Sequence, residues 1–206
     1  MKQELVATID QGTTGTRFAV FRKNGTVVAF SYKEHRQIYP RPGWVEHDPL
    51  EIWRKTRAVI KEALERSKIE SDEICAIGVT NQRETAVVWD RLTGKPYYEA
   101  IVWQCTRTEK ICQELKDRGL EPLIRERTGL YASTYFSGPK IKWILDNVPN
   151  VREQAENGRA VFGNMDTWII WNLTGGPKRG SHITDYSNSS RTMLMDLRKL
   201  RWDEEI

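Results

Sequence analysis

The segment Asp10-Gln11-Gly12-Thr13-Thr14-Gly15-Thr16-Arg17 concentrates groups that bind anions. It offers a carboxylate, two glycines, three threonine hydroxyls, the amides of a turn and a guanidinium. Successive turn amides beside glycines form a nest for phosphate-like oxygens. The hydroxyls add donors, and a guanidinium makes charge-assisted bonds. Asp10, closing a strand-like run, suits a hydrated Mg²⁺, which takes oxygen ligands. The segment is not a Walker A loop, because it joins strand to strand rather than strand to helix. The same composition also suits a plain hairpin turn.

A second constellation is Arg83-Glu84, directly after the strand-like run 74–80. A carboxylate accepts two hydroxyl hydrogen bonds and a guanidinium donates several, so the pair can face one small polar ligand. A surface ion pair of little energetic consequence is the alternative. Trp103 and Tyr135, read alone, are core aromatics. Asp185 reads as a capping aspartate in a loop rich in Ser and Asn.

These groups need elements to hold them. Residues 5–10 alternate and are rich in β-formers, 16–21 form a second strand, and Asn24-Gly25 is a hairpin signal before a third strand over 26–32. The result is an antiparallel meander. A loop over 39–44 precedes a helix with Asp48 as N-cap, Pro49 at the first position and Glu51 completing a capping box. Trp53, Ile60 and Leu64 are expected on its apolar face. A buried strand is expected over 74–80, another over 85–89, and a turn at Thr93-Gly94-Lys95-Pro96. Helices follow over 106–116 and 137–147, the latter with Ile141, Ile144 and Leu145 on one side. Val161-Phe162 is a short strand, and Asp166 caps a helix that stops at Gly175-Gly176-Pro177.

Composition bounds the rest. The chain has 206 residues, 29% charged and 39% hydrophobic, which is a globular balance. No apolar run reaches membrane-spanning length, and no secretory leader precedes the first strand. The net charge of +4 is unclustered, which favours a small anionic ligand over nucleic acid. Cys75, Cys105 and Cys112 are odd in number and lack a CxxC, as expected of reduced thiols in the cytoplasm. Cys105 and Cys112 are read as buried small apolar residues. His35, His47 and His182 show no zinc-type spacing.

Asp10-Gln11-Gly12-Thr13-Thr14 resembles the first phosphate motif of the actin-like ATPase and sugar-kinase superfamily. Further along, Tyr39-Pro40-Arg41-Pro42-Gly43-Trp44-Val45-Glu46-His47, Gly78-Val79-Thr80-Asn81-Gln82-Arg83-Glu84-Thr85, Ile101-Val102-Trp103-Gln104-Cys105, Tyr135-Phe136-Ser137-Gly138, Phe162-Gly163 with Asp166-Thr167-Trp168, and Thr184-Asp185-Tyr186-Ser187-Asn188 with Ser190-Arg191-Thr192 extend the likeness across nearly the whole chain. Together they resemble the N-terminal part of the glycerol kinases, within the carbohydrate kinase family. The resemblance implies an α/β fold: a ribonuclease H-like (actin-like ATPase) domain with a mixed sheet, crossover helices and helical insertions. It implies that Thr13, Thr14, Gly15 and Arg17 cradle the phosphates of ATP, and that Asp10 helps hold Mg²⁺ through water. Gly15 stands where serine is frequent, which removes a hydroxyl but keeps the backbone N–H. Arg83, Glu84 and Tyr135 are implied to bind the glycerol hydroxyls, with Trp103 packing on the carbon side. That reverses the surface-ion-pair reading of Arg83-Glu84. Thr106, Pro139 and Asn164-Met165 depart from the family pattern away from these contacts.

Phosphoryl transfer to a hydroxyl is mainly positioning and charge stabilisation, with a base for the hydroxyl proton. In the resembled family that base is an aspartate in a second domain, which also holds most of the adenosine pocket. The expectation is therefore that residues 1–206 form the N-terminal domain of a two-domain enzyme, with the C-terminal domain as partner and little kinase activity alone. The complete enzyme would convert glycerol and ATP to glycerol 3-phosphate and ADP, as a cytoplasmic homo-oligomer. A surface normally covered by the second domain would be exposed, favouring self-association. Alternatives are a kinase for another polyol or ketose of the family, and a noncatalytic polyol-binding half that needs a separate partner chain. Trp202-Asp203-Glu204-Glu205-Ile206 reads as the start of a helix, so a chain cut between domains is expected.

Overall fold

The computed structural model describes residues 5–206, and they divide into two compact units. One takes the residues up to Gln37 together with His47–Gln82. The other takes Ile38–Glu46 and Arg83–Ile206.

The first unit is built on the expected meander, β1 (Leu5–Gln11), β2 (Gly15–Arg22) and β3 (Val27–Glu34). After the two-residue β4 (Glu46–His47), at the unit boundary, come helix α1 (Pro49–Ser67) and strand β5 (Ile74–Asn81). The sheet order is β3-β2-β1-β5, with β5 parallel to β1 and the other pairs antiparallel. This is the mixed sheet with a helical crossover that the family resemblance implied. Leu5, Ala7, Ile9 and Gln11 alternate inward along β1, as the period of a strand requires. Helix α1 packs against β2 and β3. Asp48 caps it by accepting from the Leu50 N–H at 2.7 Å.

Three expectations for this unit need correction. Glu51 does not complete a capping box; its carboxylate accepts from the Arg36 N–H instead, at 3.4 Å. The buried face of α1 is Ile52, Thr56, Val59 and Ala63, while Trp53, Ile60 and Leu64 are half-buried beside it. The 4-3-4 spacing of the buried set follows the helical repeat directly; the 7-4 spacing of the expected set marks the flank of the same face. Strand β5 is mostly exposed rather than buried, with Ile77 at 47%. It lies at the sheet edge, so one ladder partner is all it has within this unit. The sheet also leaves Val6, Phe30 and Tyr32 exposed. An open edge with exposed apolar side chains favours association with other chains.

The second unit pairs β6 (Val87–Asp90) with β8 (Ala160–Gly163) in antiparallel register. Between them lie β7 (Ala100–Ile101) and the helices α2 (Glu109–Asp117), α3 (Glu121–Thr128), α4 (Ser137–Asn147) and α5 (Val151–Glu156). Helix α6 (Met165–Leu173), the single-turn α7 (Tyr186–Ser189) and the short pair β9 (Met195–Asp196) and β10 (Arg201–Trp202) follow. Helices therefore fill much of the middle of the chain, as expected, and α3 and α5 add to those the periodicity showed.

Two aromatic clusters organise this unit. Trp89 meets Trp168 and Trp171 at ring centroid distances of 5.3 and 5.6 Å. Trp44, Tyr98 and Trp143 surround the Arg107 guanidinium, 3.9 Å above Trp44 and 4.7 Å from Trp143. The Arg107 side chain is fully buried and pairs with Glu46 at 2.6 Å, and Glu46 also accepts from the Tyr98 hydroxyl at 2.8 Å. Its Nε donates to the Cys105 sulfur at 3.0 Å, so Cys105 is buried as expected but in a charged setting.

Two further readings change here. Asn164, not Asp166, is the N-cap of α6. Asp166 sits in the first turn and accepts from the Thr184 hydroxyl at 2.6 Å; burial raises its pKa against the pull of that bond. The segment 202–206 forms no helical turn. Asp203 accepts from the Glu205 and Ile206 N–H groups in cap fashion, but Trp202 is in β10. Asp185 caps α7 by accepting from the Asn188 N–H at 2.7 Å, which matches its expected structural part. Among the described residues, no helix is long and apolar enough to cross a membrane.

Candidate functional site

The residues singled out from the sequence fall into two sets, one in each unit. The first set lies where β1 turns into β2. Only Gly12, Thr13 and Thr14 stand outside the two strands, and the Gly12 N–H donates to Gly15 O at 2.9 Å to close the turn. The register places Asp10 opposite Arg17. Arg17 Nη1 lies 3.0 Å from Asp10 Oδ2, and the guanidinium also lies 5.6 Å from the centre of the Tyr32 ring. Both charges reach solvent, so the pair contributes at most about 1 kcal/mol. Either partner can therefore be recruited by a ligand at little cost. The donor set fits a hydrated Mg²⁺ and a phosphate chain: one accessible carboxylate, a turn of small residues and an accessible guanidinium.

Gly15 has a reason of its own. A Cβ there would stand 2.6 Å from the Lys33 carbonyl oxygen and 2.7 Å from the Tyr32 hydroxyl. Tyrosine can swing away, but a carbonyl in a strand ladder cannot. The missing serine hydroxyl is thus matched by missing space. Gly15→Ser is expected to destabilise the chain by about 1–3 kcal/mol, the usual cost of overpacking. Urea unfolding measures it, and an unchanged midpoint would show that the β2–β3 ladder yields.

The second set is centred on Glu84. Its backbone is left-handed, with φ 64°, a conformation that costs a non-glycine residue energy and is concentrated at functional sites. That geometry turns a carboxylate at 4% exposure inward. Its partner is Arg191, whose Nε donates to Glu84 Oε1 at 2.6 Å. The Arg191 guanidinium lies 4.9 Å from the Phe136 ring centre and 5.5 Å from that of Tyr135. Tyr135 in turn meets Trp103 at 5.4 Å between ring centroids. Glu84, Arg191, Tyr135 and Trp103 thus form a continuous chain of contacts. Arg83 is exposed, and no ion pair joins it to Glu84. The surface-ion-pair alternative for Arg83-Glu84 is thus not what the structure holds.

Several side chains fix this arrangement. Ser137 Oγ donates to Glu84 O at 3.2 Å, and Asn164 Nδ2 donates to both Thr85 O and Ser137 Oγ at 2.9 Å. The Trp103 N–H donates to Thr85 Oγ1 at 3.2 Å. Lys140, fully buried in the first turn of α4, points its Nζ back at the chain before the helix. It donates to the carbonyls of Thr134, Tyr135 and Phe136 at 2.6, 2.6 and 2.9 Å. Burial pulls its pKa down to about 7. Sequence reasoning missed both Lys140 and Arg191. Arg191 stands 107 positions from Glu84, and no local pattern announces such a pair. Lys140 carried a weak signal: a lone lysine on the side of a helix that also holds Ile144.

The chain matches the description "FGGY family of carbohydrate kinases, N-terminal domain" over residues 5–206. Among curated relatives, it is 62% identical over 201 residues to a glycerol kinase of Roseiflexus sp. strain RS-1, and 61% identical to glycerol kinase 2 of Thermotoga maritima. Each alignment covers 98% of this chain and 40% of the relative. Among solved structures, Plasmodium falciparum glycerol kinase with ADP superposes with a TM-score of 0.91 at 39% identity, covering 98% of this chain and 40% of that one. Gluconate kinase from Lactobacillus acidophilus shares the fold, with a TM-score of 0.83 at 24% identity over 98% of this chain and 39% of its own. The chain spans about 40% of the length of the curated relatives it matches. With a match running from the first described strand to the last residue, the chain belongs to the FGGY family of carbohydrate kinases and corresponds to its N-terminal domain.

Proposed function

We propose that this chain is the N-terminal portion of an ATP-dependent glycerol kinase, which in complete form transfers a phosphoryl group from ATP to glycerol to give glycerol 3-phosphate. The observation that carries this reading is the contact chain Glu84–Arg191–Tyr135–Trp103. It joins an acceptor of hydroxyl protons, a charged donor, a phenol and an aromatic face, which is the chemistry a short polyol needs. The names of the relatives at 62% and 61% identity support glycerol as that polyol.

Each residue has a task in this reading. Glu84 accepts a hydroxyl hydrogen bond, while Arg83, reaching solvent, and Tyr135 supply further hydroxyl contacts. Trp103 covers the carbon side. Thr13, Thr14, Gly15 and Arg17 hold the phosphates, and Asp10 holds Mg²⁺ through water. Bound Mg²⁺ supplies neutralisation of phosphate charge. Glu84 is already committed to Arg191, so it is poorly placed to take the proton of the attacking hydroxyl. The base then belongs to a C-terminal domain, in the part of the relatives that this chain does not cover. The free thiols of Cys75, Cys105 and Cys112 suit a cytoplasmic enzyme.

The test is glycerol-dependent ADP production with Mg²⁺ and ATP. The chain alone is expected to give none. Addition of the remaining C-terminal portion of the Roseiflexus relative is expected to restore it, and Glu84→Gln to remove it again. Turnover by the chain alone would overturn the missing-base argument. A preference for xylulose or gluconate over glycerol would replace the substrate.

Arg191→Lys gives a finer check. Lysine keeps the charge but not the planar contact with Glu84 and the rings. Glycerol binding is expected to weaken roughly tenfold, the effect of one charge-assisted bond, with KM for ATP unchanged. An equal rise in both KM values would assign Arg191 to folding instead.

A further inference from the structure

Beneath the turn 12–14 lies a polar network that the proposed reaction does not use. His47 is fully buried and sits at its centre. Its Nε2 is 2.7 Å from Gln37 Oε1, which can only accept, so Nε2 carries the proton. Its Nδ1 is 3.2 Å from Gln82 Nε2, which can only donate, so Nδ1 is bare. The ring is therefore neutral, with a single tautomer dictated by its neighbours. Burial, with His35 beside it, pushes its pKa down to about 3, in keeping with that form.

Two arms lead from the ring to the turn. On one side, Gln37 Nε2 donates to Thr13 O at 3.0 Å. On the other, Gln82 Nε2 also donates to Gln11 Oε1 at 3.0 Å, and Gln11 Nε2 donates to Gly12 O at 2.8 Å. A third tether is backbone: the His35 N–H donates to Thr14 O at 3.2 Å. The carbonyls of Gly12, Thr13 and Thr14 are thus all drawn to partners within this unit.

A trans peptide is planar, and its C=O and N–H point in opposite directions. No cis bond occurs among the described residues. Tethering those carbonyls therefore aims the N–H groups of Thr13, Thr14 and Gly15 away from their tethers. It also keeps carbonyl oxygens, which repel anions, off the side that presents the amides. The network contains no charged group, so it adds no negative field of its own.

We infer that His47, Gln37, Gln82 and Gln11 are positioning residues that lock the turn 12–14 in a phosphate-accepting orientation, with neutral His47 as the hub coupling the two arms. This rests on the reading of the turn as the ATP phosphate site. It goes beyond that reading by assigning the selectivity for an anion to side chains that never touch it.

The test uses the ¹⁵N-labelled chain titrated with Mg·ATP. The Thr13, Thr14 and Gly15 amides are expected to move. Gln37→Leu is expected to weaken binding roughly fivefold, the effect of one lost hydrogen bond, and to displace chiefly the Thr14 amide. Gln82→Met is expected to weaken it similarly and to displace chiefly the Thr13 amide. Wild-type binding with both variants unaffected would overturn the inference and leave the phosphate turn standing. No movement of the wild-type amides would overturn both. Should the variants unfold, the ¹⁵N shifts of the wild-type His47 ring decide. A neutral Nε2–H ring supports the inference, and a charged or Nδ1–H ring overturns it.

Discussion

Lys140→Met is expected to lower the unfolding free energy by about 2–4 kcal/mol and to loosen the loop that carries Tyr135. Methionine nearly preserves the volume and removes the donors. The carbonyls of Thr134, Tyr135 and Phe136 then lose the ammonium that joins them. An unsatisfied buried carbonyl costs about 1–3 kcal/mol, while relief of the buried charge returns part of the total, so the net loss is about 2–4 kcal/mol. Urea unfolding at pH 6 measures it, where the lysine is mostly protonated and so can serve three acceptors. With Tyr135 as the proposed glycerol contact, the same variant is expected to weaken glycerol binding more than nucleotide binding. A stability change below about 0.5 kcal/mol, well short of the usual cost of unpaired polar groups, would mean that the loop finds other donors.

Acid is expected to cost the wild-type chain about 3 kcal/mol more than it costs His47→Gln between pH 6.5 and pH 4. The folded-state pKa of His47 is about 3 against 6.5 for a free imidazole, through burial first and then the neighbouring His35. Across that window the unfolded chain binds one more proton than the folded chain. Stability therefore falls as pH falls, at about 1.4 kcal/mol per pH unit. The contribution is complete above pH 6.5. Glutamine does not titrate, and carboxylates common to both proteins cancel in the comparison. His35, buried with its ring 4.5 Å from His47, is also shifted down and faces Glu34, Glu51 and Lys55. Its own titration remains in both proteins. Parallel pH profiles for wild type and His47→Gln would show that the imidazole is not held neutral.

The parts legible in the sequence were those whose causes are local. Residues 5–34 alternate around a turn of glycine and threonine and an Asn-Gly hairpin, and β1, β2 and β3 form there within a residue or two. Asp48-Pro49 begins α1, and α4 spans the expected 137–147. Helix α3 escaped notice because it is short and its cap position, Leu120, makes no side-chain bond. Helix α5 likewise has Asn150 at its N-cap without a side-chain bond. The burial of β5 was misread because an apolar strand looks the same at the centre and at the edge of a sheet. Only pairing partners distinguish the two cases.

Candidate chemistry divides along the same line. The residue types at 10–17, at 83–84 and at Trp103 and Tyr135 were set by the sequence alone, and so was the family likeness that assigned them tasks. Tertiary structure decided which of them act together. It brought Arg191, 107 positions away, to Glu84, and it brought one lysine to three successive carbonyls. It also ran two glutamine arms from a single histidine to the back of the turn 12–14. The physical reason is one of range. Strands, turns and caps are governed by neighbours a few positions apart. A buried charge or amide must find its partner wherever the packed chain supplies one.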